Sequence, residues 1–191
     1  SVTQRGVFDT AQVANNENNR FTKECIYEAL WELIKHQDYN TITITQIANK
    51  AGVSRNAIYR NFESKDDIIR KRLLECYHSF IRMINHLQQD ASREEYVTIV
   101  CEYLCRQREI SEPLVKSNLT EFLLESFAYI KGTYNTDTET EYYENYRIGG
   151  AIFVYLTWIS KGCQETPKQL ADIVNHICSS PAVIPDLKNI E

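Results

Sequence analysis

Glycine and proline are scarce in this chain of 191 residues, six and four in number, and the first proline is Pro113. A β-protein built on tight turns draws heavily on both, so an all-β fold is excluded. Apolar residues recur every three to four positions instead, which predicts helix over most of the chain. Long hydrophobic runs are also missing: the longest, Ile148 to Ile159, is about twelve residues against the roughly twenty that span a bilayer. No membrane partner is therefore expected. No secretory signal opens the sequence, and a cytoplasmic protein is expected. Methionine occurs only as Met83 and the chain starts at Ser1, so the initiator is expected to have been removed or trimmed away.

A strong charge of either sign is lacking as well. The net charge of −5 hides an asymmetry, with ten Lys and Arg against nine Asp and Glu over residues 1–71 and eleven against seventeen over 72–191. Only the first part can approach a polyanion, and the remainder is repelled by one. Cysteine is present at six positions, Cys25, Cys76, Cys101, Cys105, Cys163 and Cys178. All fall within or beside apparent helices, so they read as small core side chains in a reducing compartment and not as a disulfide framework. Cys101 and Cys105 share one helix face, but no second Cys or His pair accompanies them, and no metal site is assigned. The four histidines, His36, His78, His86 and His176, are spread along the chain. With no Gly-rich phosphate loop and no supported nucleophile or carboxylate pair, no catalytic residue, no cofactor and no enzyme activity are expected.

What the chain does contain is a series of helix starts and stops. Residues 1–19, ending in Asn15-Asn16-Glu17-Asn18-Asn19, are polar and are expected to form a flexible arm. From Phe21 a stripe of Ile26, Ala29, Leu30, Leu33 and Ile34 predicts a first helix ending near Asp38. Thr43 and Gln46 have the spacing of a capping box for a second helix, which Gly52 stops in the left-handed conformation. Ser54 caps a third helix through Phe62, and Ser64 a long fourth one carrying Ile69, Leu73, Cys76, Phe80, Ile84 and Leu87. Further helices are predicted from Ser92 to about Gln107, from Ser111-Glu112-Pro113, over Leu119–Ile130, over Glu141–Lys161, and from Thr166-Pro167. Lys131–Thr140 reads as a loop. The eighth helix is apolar nearly all round from Ile148, so it is expected to be covered on every side.

Thr43 to Lys65 is the informative segment. Two short helices joined through Ala51-Gly52-Val53 have the spacing of a helix-turn-helix, with Val53 filling the angle between them. Ile58 and Phe62 face inward with Ala57 beside them, leaving Arg55, Asn56, Tyr59 and Arg60 outside. Arg can bind guanine and Asn adenine with two hydrogen bonds, and Tyr can donate to a phosphate oxygen.

The run Thr22-x3-Ile26-x2-Ala29-Leu30, Asp38-Tyr39, Thr43-x3-Ile47-Ala48-x2-Ala51-Gly52-Val53-Ser54 and Ile58-Tyr59-x2-Phe62-x-Ser64-Lys65 closely resembles the DNA-binding domain of the tetracycline-repressor (TetR/AcrR) family. The resemblance covers about residues 20 to 70 and implies an all-α, homodimeric transcription regulator of nine or so helices. It implies a DNA-binding domain over 20–66 and a helical ligand-sensing and dimerisation domain over 67–191. Its partners would be a palindromic double-stranded DNA operator, a second copy of the chain and a small, largely apolar effector. A regulator or activator of the same fold that works through protein contacts, without a small-molecule inducer, is the alternative. By position, Thr43 and Thr45 match phosphate or base contacts, Arg55, Asn56, Ala57 and Arg60 base readers, and Tyr59, Asn61 and Lys65 phosphate grippers. Asp38 stands where the family usually has glycine, which implies a left-handed aspartate, while Asn56 and Asn61 replace a small residue and a His or Tyr.

Gly149-Gly150-Ala151, Trp158-Ile159-x2-Gly162 and Thr166-Pro167-x2-Leu170-Ala171 resemble the family's last two helices, which build a dimer bundle. Small residues in a helix let another helix come close, so Gly149, Gly150, Phe153, Ile173 and Ile177 are the expected dimer contacts. Phe80, Tyr103, Phe127, Tyr146 and Trp158, on the helices between which family pockets lie, are the expected pocket aromatics.

Overall fold

Local capping chemistry sets most of the helix boundaries. The computed structural model describes residues 3–86, 91–131 and 137–179, with side chains over 16–86, 91–129, 137–143 and 145–177. The elements are α1 (Thr3–Ile34), a 3-10 turn (Tyr39–Thr41), α2 (Ile44–Ala51), α3 (Arg55–Asn61), α4 (Lys65–Asn85), α5 (Arg93–Arg106), α6 (Arg108–Lys116), α7 (Thr120–Lys131), α8 (Thr138–Ser160) and α9 (Pro167–Ser179), with no strand among the described residues. The fold is all-α, as predicted. Thr43 with Gln46 and Ser92 with Glu95 form reciprocal capping boxes, and Ser54 and Ser64 cap α3 and α4 through the amides of Ala57 and Asp67. Thr166 and Gln169 do the same for α9. Among the described residues, no helix is long and apolar enough to cross a membrane.

Two apolar cores result. The first gathers Ile26, Leu30, Ile47, Ile58, Phe62 and Ile68 from α1 to α4, together with Leu114, Leu119, Phe122 and Leu123 from α6 and α7 and the link between them. The second gathers Cys101, Tyr155, Trp158, Ile159, Leu170 and Ala171 from α5, α8 and α9. Fully burying one such aliphatic side chain stabilises by about 1.5 to 3 kcal/mol, so each core holds its helices as a body. The predicted inward set of α4 is graded: Ile69 and Leu73 are buried, Cys76, Phe80 and Ile84 half-buried, and Leu87 lies outside the described residues. Cys178 lies outside the described side chains.

Several boundaries differ from the sequence reading. The first helix starts at Thr3 and not Phe21, taking in residues expected as a polar arm, and ends at Ile34. Residues 16–21 are exposed along it, so no apolar stripe marked that part of the extension. Asp38 is not left-handed. At φ −59° and ψ 126° it caps the 3-10 turn by accepting the Asn40 N–H at 2.8 Å. The sixth helix begins at Arg108 and carries Pro113 inside it. Ser111 is therefore no cap; it is buried, and its hydroxyl accepts the Tyr155 O–H at 3.0 Å. The eighth helix begins at Thr138, capped by Asp137, inside the stretch read as loop; residues 132–136 of that stretch lie outside the described ones. Within this chain α8 is also not covered on every side, since Gly150, Ala151 and Phe153 are exposed.

Candidate nucleic-acid interface

The Thr43 capping box fixes the start of α2: its amide donates to Gln46 Oε1 at 2.8 Å and its Oγ1 accepts the Gln46 amide at 3.2 Å. The Thr43 hydroxyl also donates to Gln46 Oε1 at 2.9 Å, so it is occupied, while Thr45 is exposed in the first turn of the helix. Gly52, at φ 67° and ψ 28°, ends α2 in the left-handed region that a side chain makes costly. The Val53 amide then donates to Ala48 O at 3.0 Å, closing the turn, and Val53 packs against the first core. Ile58 and Phe62 are buried in that core, with Phe62 meeting the Tyr27 ring edge-on at 5.5 Å.

With that face fixed inward, α3 presents Arg55, Asn56, Tyr59 and Arg60 to solvent. Tyr59 is 51% exposed. None of the four side chains makes a hydrogen bond or ion pair among the described residues. Two guanidiniums, an amide and a phenol are thus displayed together on a helix held at both ends, an arrangement suited to base edges and phosphates. Lys50, exposed in the last turn of α2, adds a cation that the family motif did not mark.

Three expected contacts are placed differently. Ala57 is buried, because its methyl lies on the inward face beside Ile58, so it offers no surface for base reading as the helix now sits. Asn61 is half-buried, with its Nδ2 donating to Ala57 O at 2.9 Å. Lys65 is turned inward: its Nζ donates to Tyr39 O at 2.6 Å and Ile42 O at 3.0 Å and lies 4.0 Å from the Tyr39 ring centroid. Burial holds its ammonium below the ordinary lysine range, against the opposing pull of Asp66 and Asp38. One of its three N–H groups remains for a phosphate.

Behind this surface, α4 is tied to α3 by a hydrogen bond and to α1 by an ion pair. Lys71 donates to Asn61 O at 2.9 Å, pairs with Asp67 at 2.9 Å and lies over the Phe62 ring. Burial pushes the Asp67 carboxyl up, but Lys71 and the Glu63 N–H outweigh it and hold the group below its usual value. Arg72 binds Glu24 of α1 and lies over Tyr27, whose hydroxyl donates to Glu75 at 2.9 Å. The sequence reading missed these clamps; only Asp67–Lys71, four apart on one helix, carried a local signal.

The expected pocket aromatics do not gather in one place. Phe80 and Tyr103 meet, with ring centroids 5.2 Å apart, and the Tyr103 hydroxyl donates to Cys76 O. Phe127 packs against the first core, and Trp158 is buried in the second, donating to Glu165 O at 3.1 Å. Tyr146 is 82% exposed, because the first turns of α8 stand clear of both cores. A shallow open depression is bordered by Glu102, Cys105, Arg106 and Pro167, and none of the five touches it. The expected dimer contacts do share a character. Phe153 is 68% exposed, Ile173 and Ile177 are exposed, and a Cβ added at Gly149 or Gly150 would meet nothing within 4 Å.

A family model described as bacterial regulatory proteins, tetR family, matches residues 26–71, and one described as transcriptional regulator C-terminal region matches residues 75–180. Among solved structures, the chain is similar to a TetR transcriptional regulator from Streptococcus agalactiae 2603V, at 19% identity over 85% of this chain and 96% of that one, with a TM-score of 0.60. It is also similar to the fatty acid degradation regulator FadR from Bacillus halodurans, at 22% identity over 80% and 91% of the two chains and a TM-score of 0.53. A third is the dihydroxyacetone kinase operon activator DhaS, at 15% identity over 82% and 92% with a TM-score of 0.51. At these identities the likeness is one of fold. No curated protein matches the chain.

Proposed function

The chain belongs to the tetR family of bacterial regulatory proteins, and from that premise we propose that it is a sequence-specific repressor, acting in the cytoplasm, that binds a partly palindromic operator as a homodimer. The observation that supports DNA reading is the row Arg55, Asn56, Tyr59 and Arg60, exposed and unbonded on a helix whose other face is fixed. Arg55 and Asn56 are the base readers, with Arg60 beside them, while Tyr59, Thr45 and the remaining N–H of Lys65 meet the backbone. Symmetry follows from the dimer, since two copies of α3 about 34 to 36 Å apart enter successive major grooves. The bare face of α8 and α9, with Phe153, Ile173 and Ile177, supports that dimer. The experiment is selection of duplexes from a random library by the purified protein, followed by footprinting. Enrichment of a two-fold-symmetric site is expected; a short unsymmetrical footprint removes the dimer reading, and no enrichment removes DNA reading altogether.

The same proposal includes a small, largely apolar effector that lowers DNA affinity by favouring one helix arrangement over another. The half-buried contact of Phe80 with Tyr103, between α4 and α5, supports it. A ligand screen by thermal shift, followed by DNA binding, tests this part; ligands that bind and leave affinity unchanged count against it. The exposed Tyr142, Tyr143 and Tyr146 favour a second reading, in which a protein partner sets the state of the regulator.

A further inference from the structure

Tyr39 occupies an unusual position for a buried aromatic. It opens the 3-10 turn that leads directly to Thr43, the cap of α2, so its placement sets where the helix-turn-helix begins. The first turn of α4 grips it from one side, through the Lys65 ammonium 4.0 Å from its ring centroid and bonded to its carbonyl, and through Asp66, which accepts its hydroxyl at 2.6 Å. From the other side comes Phe122 of α7, whose ring meets it edge-on at 6.1 Å and an interplanar angle of 72°. Phe122 is fixed in turn by Arg70, whose guanidinium lies 5.2 Å from its centroid and pairs with Glu125 at 2.8 Å.

Tyr39 is 8% exposed and Phe122 3%, so neither side chain offers surface to DNA. We propose that Tyr39 is a positioning residue for DNA recognition, and that α7, through Phe122 against Tyr39, sets how α2 and α3 are presented to the grooves. The inference rests on the DNA-binding reading above and adds a route to it: a displacement of α7 reaches the reading helices without bending α4. A shift at the Tyr39 ring carries the Ile42 carbonyl and the Thr43 cap with it, because Lys65 ties both carbonyls to one ammonium. Base readout depends on placement more steeply than phosphate contact does, since groove hydrogen bonds fix donor and acceptor positions while the backbone charge is sequence-independent.

The test compares two probes: a duplex selected from a random library by the wild-type protein, and a shuffled duplex of the same composition. Phe122→Leu keeps an apolar side chain and removes the ring edge and the face under Arg70. An aromatic pair contributes up to about tenfold in an equilibrium constant, so the ratio of selected to shuffled affinity is expected to fall by about three- to tenfold. The salt dependence on both probes is expected to stay as it was, because no charge changes. Phe122→Tyr, which keeps the ring, is expected to restore the ratio. Equal losses on both probes, or an unchanged ratio, overturn the proposal. Should Phe122→Leu fail to keep its helical signal, Tyr39→Phe, which removes only the bond to Asp66, is read by the same ratio with the same consequences. If the wild-type protein enriches no duplex, the DNA-binding reading itself falls and this proposal with it.

Discussion

Replacing Lys65 by alanine separates two roles that one ammonium can play. As a phosphate contact alone, Lys65 would be dispensable to the free protein, and its loss would lower the slope of log affinity against log salt by about one per subunit. The observed geometry points to a larger effect on folding. Two hydrogen bonds from a charged donor disappear, to Tyr39 O at 2.6 Å and Ile42 O at 3.0 Å, together with the contact on the Tyr39 ring. Tyr39 O keeps the Ile42 amide at 3.1 Å, so the greater loss falls on Ile42 O. A charged hydrogen bond is worth about 1.5 to 3 kcal/mol, and the cation–π contact about 0.5 to 1. Set against these are the burial of the ammonium and the ordering of a long side chain, up to about 2 kcal/mol. The net expectation is a loss of about 2 to 4 kcal/mol. Urea unfolding followed by helical circular dichroism measures it, alongside DNA binding over a salt series. An unchanged unfolding midpoint together with a reduced salt slope would refute the inward-clamp account and return Lys65 to the phosphate backbone.

Arg55→Ala is expected to cost about 1 to 3 kcal/mol on the selected duplex and to relax preference at one base pair in each half-site; equal losses on shuffled DNA make Arg55 a phosphate contact instead. Gly150→Leu should leave the subunit folded, since an added Cβ meets nothing within 4 Å in its own chain, yet weaken association if α8 is the interface; sedimentation of both proteins at micromolar concentration decides, and an unchanged dimer moves the interface elsewhere. Alkaline pH provides a fourth test. Burial, first of all, raises the phenols of Tyr27, Tyr39, Tyr103 and Tyr155 above the ordinary tyrosine value, Tyr103 to about 12. The unfolded chain ionises them near pH 10 while the folded one holds the protons, so their contribution is complete below about pH 10 and is lost as pH rises beyond it. Urea midpoints measured from pH 8 to pH 11.5 should therefore fall at the upper end, and a flat profile contradicts the burial of these hydroxyls.

The parts of the fold that the sequence announces are those whose chemistry is local. Thr43 with Gln46, Gly52, Ser54, Ser64, Ser92 with Glu95 and Thr166 all act within one turn, and each appears where its spacing says. The start of α6 had no such signal. Gln107 closes α5 and opens α6 without a side-chain cap, and Ser111, which looks like a cap, is instead taken by Tyr155 far along the chain. The inward bonds of Lys65 went unannounced for the same reason. Its acceptors lie 23 and 26 residues earlier, and nothing in the local pattern distinguishes an inward lysine from an outward one. On α3 the face was legible because Ile58 and Phe62 fix its orientation. What periodicity did not resolve is the edge of that face, where Ala57 is buried and Asn61 folds back on its own helix.

Packing also divides the chain differently from a boundary near residue 66. The first core takes Leu114 from α6, Leu119 from the link after it and Phe122 and Leu123 from α7, and the Trp31 indole donates to Ile110 O at 2.8 Å, so α6 and α7 travel with the reading head. The second core joins α5 to α8 and α9. The two meet along a narrow seam where Val115 packs against both cores and Tyr155 reaches from α8 to Leu104 O at 3.1 Å and Ser111 at 3.0 Å. A dimer built on α8 and α9 anchors the second body, so the separation of the two reading helices depends on how the first body sits across this seam. A signal that alters the separation of the two reading helices must then change the seam or α4, whereas Phe122 against Tyr39 acts within the first body itself. Phe80 and Tyr103 satisfy that requirement, because their contact bridges α4, which rises from the head, and α5, which belongs to the second body.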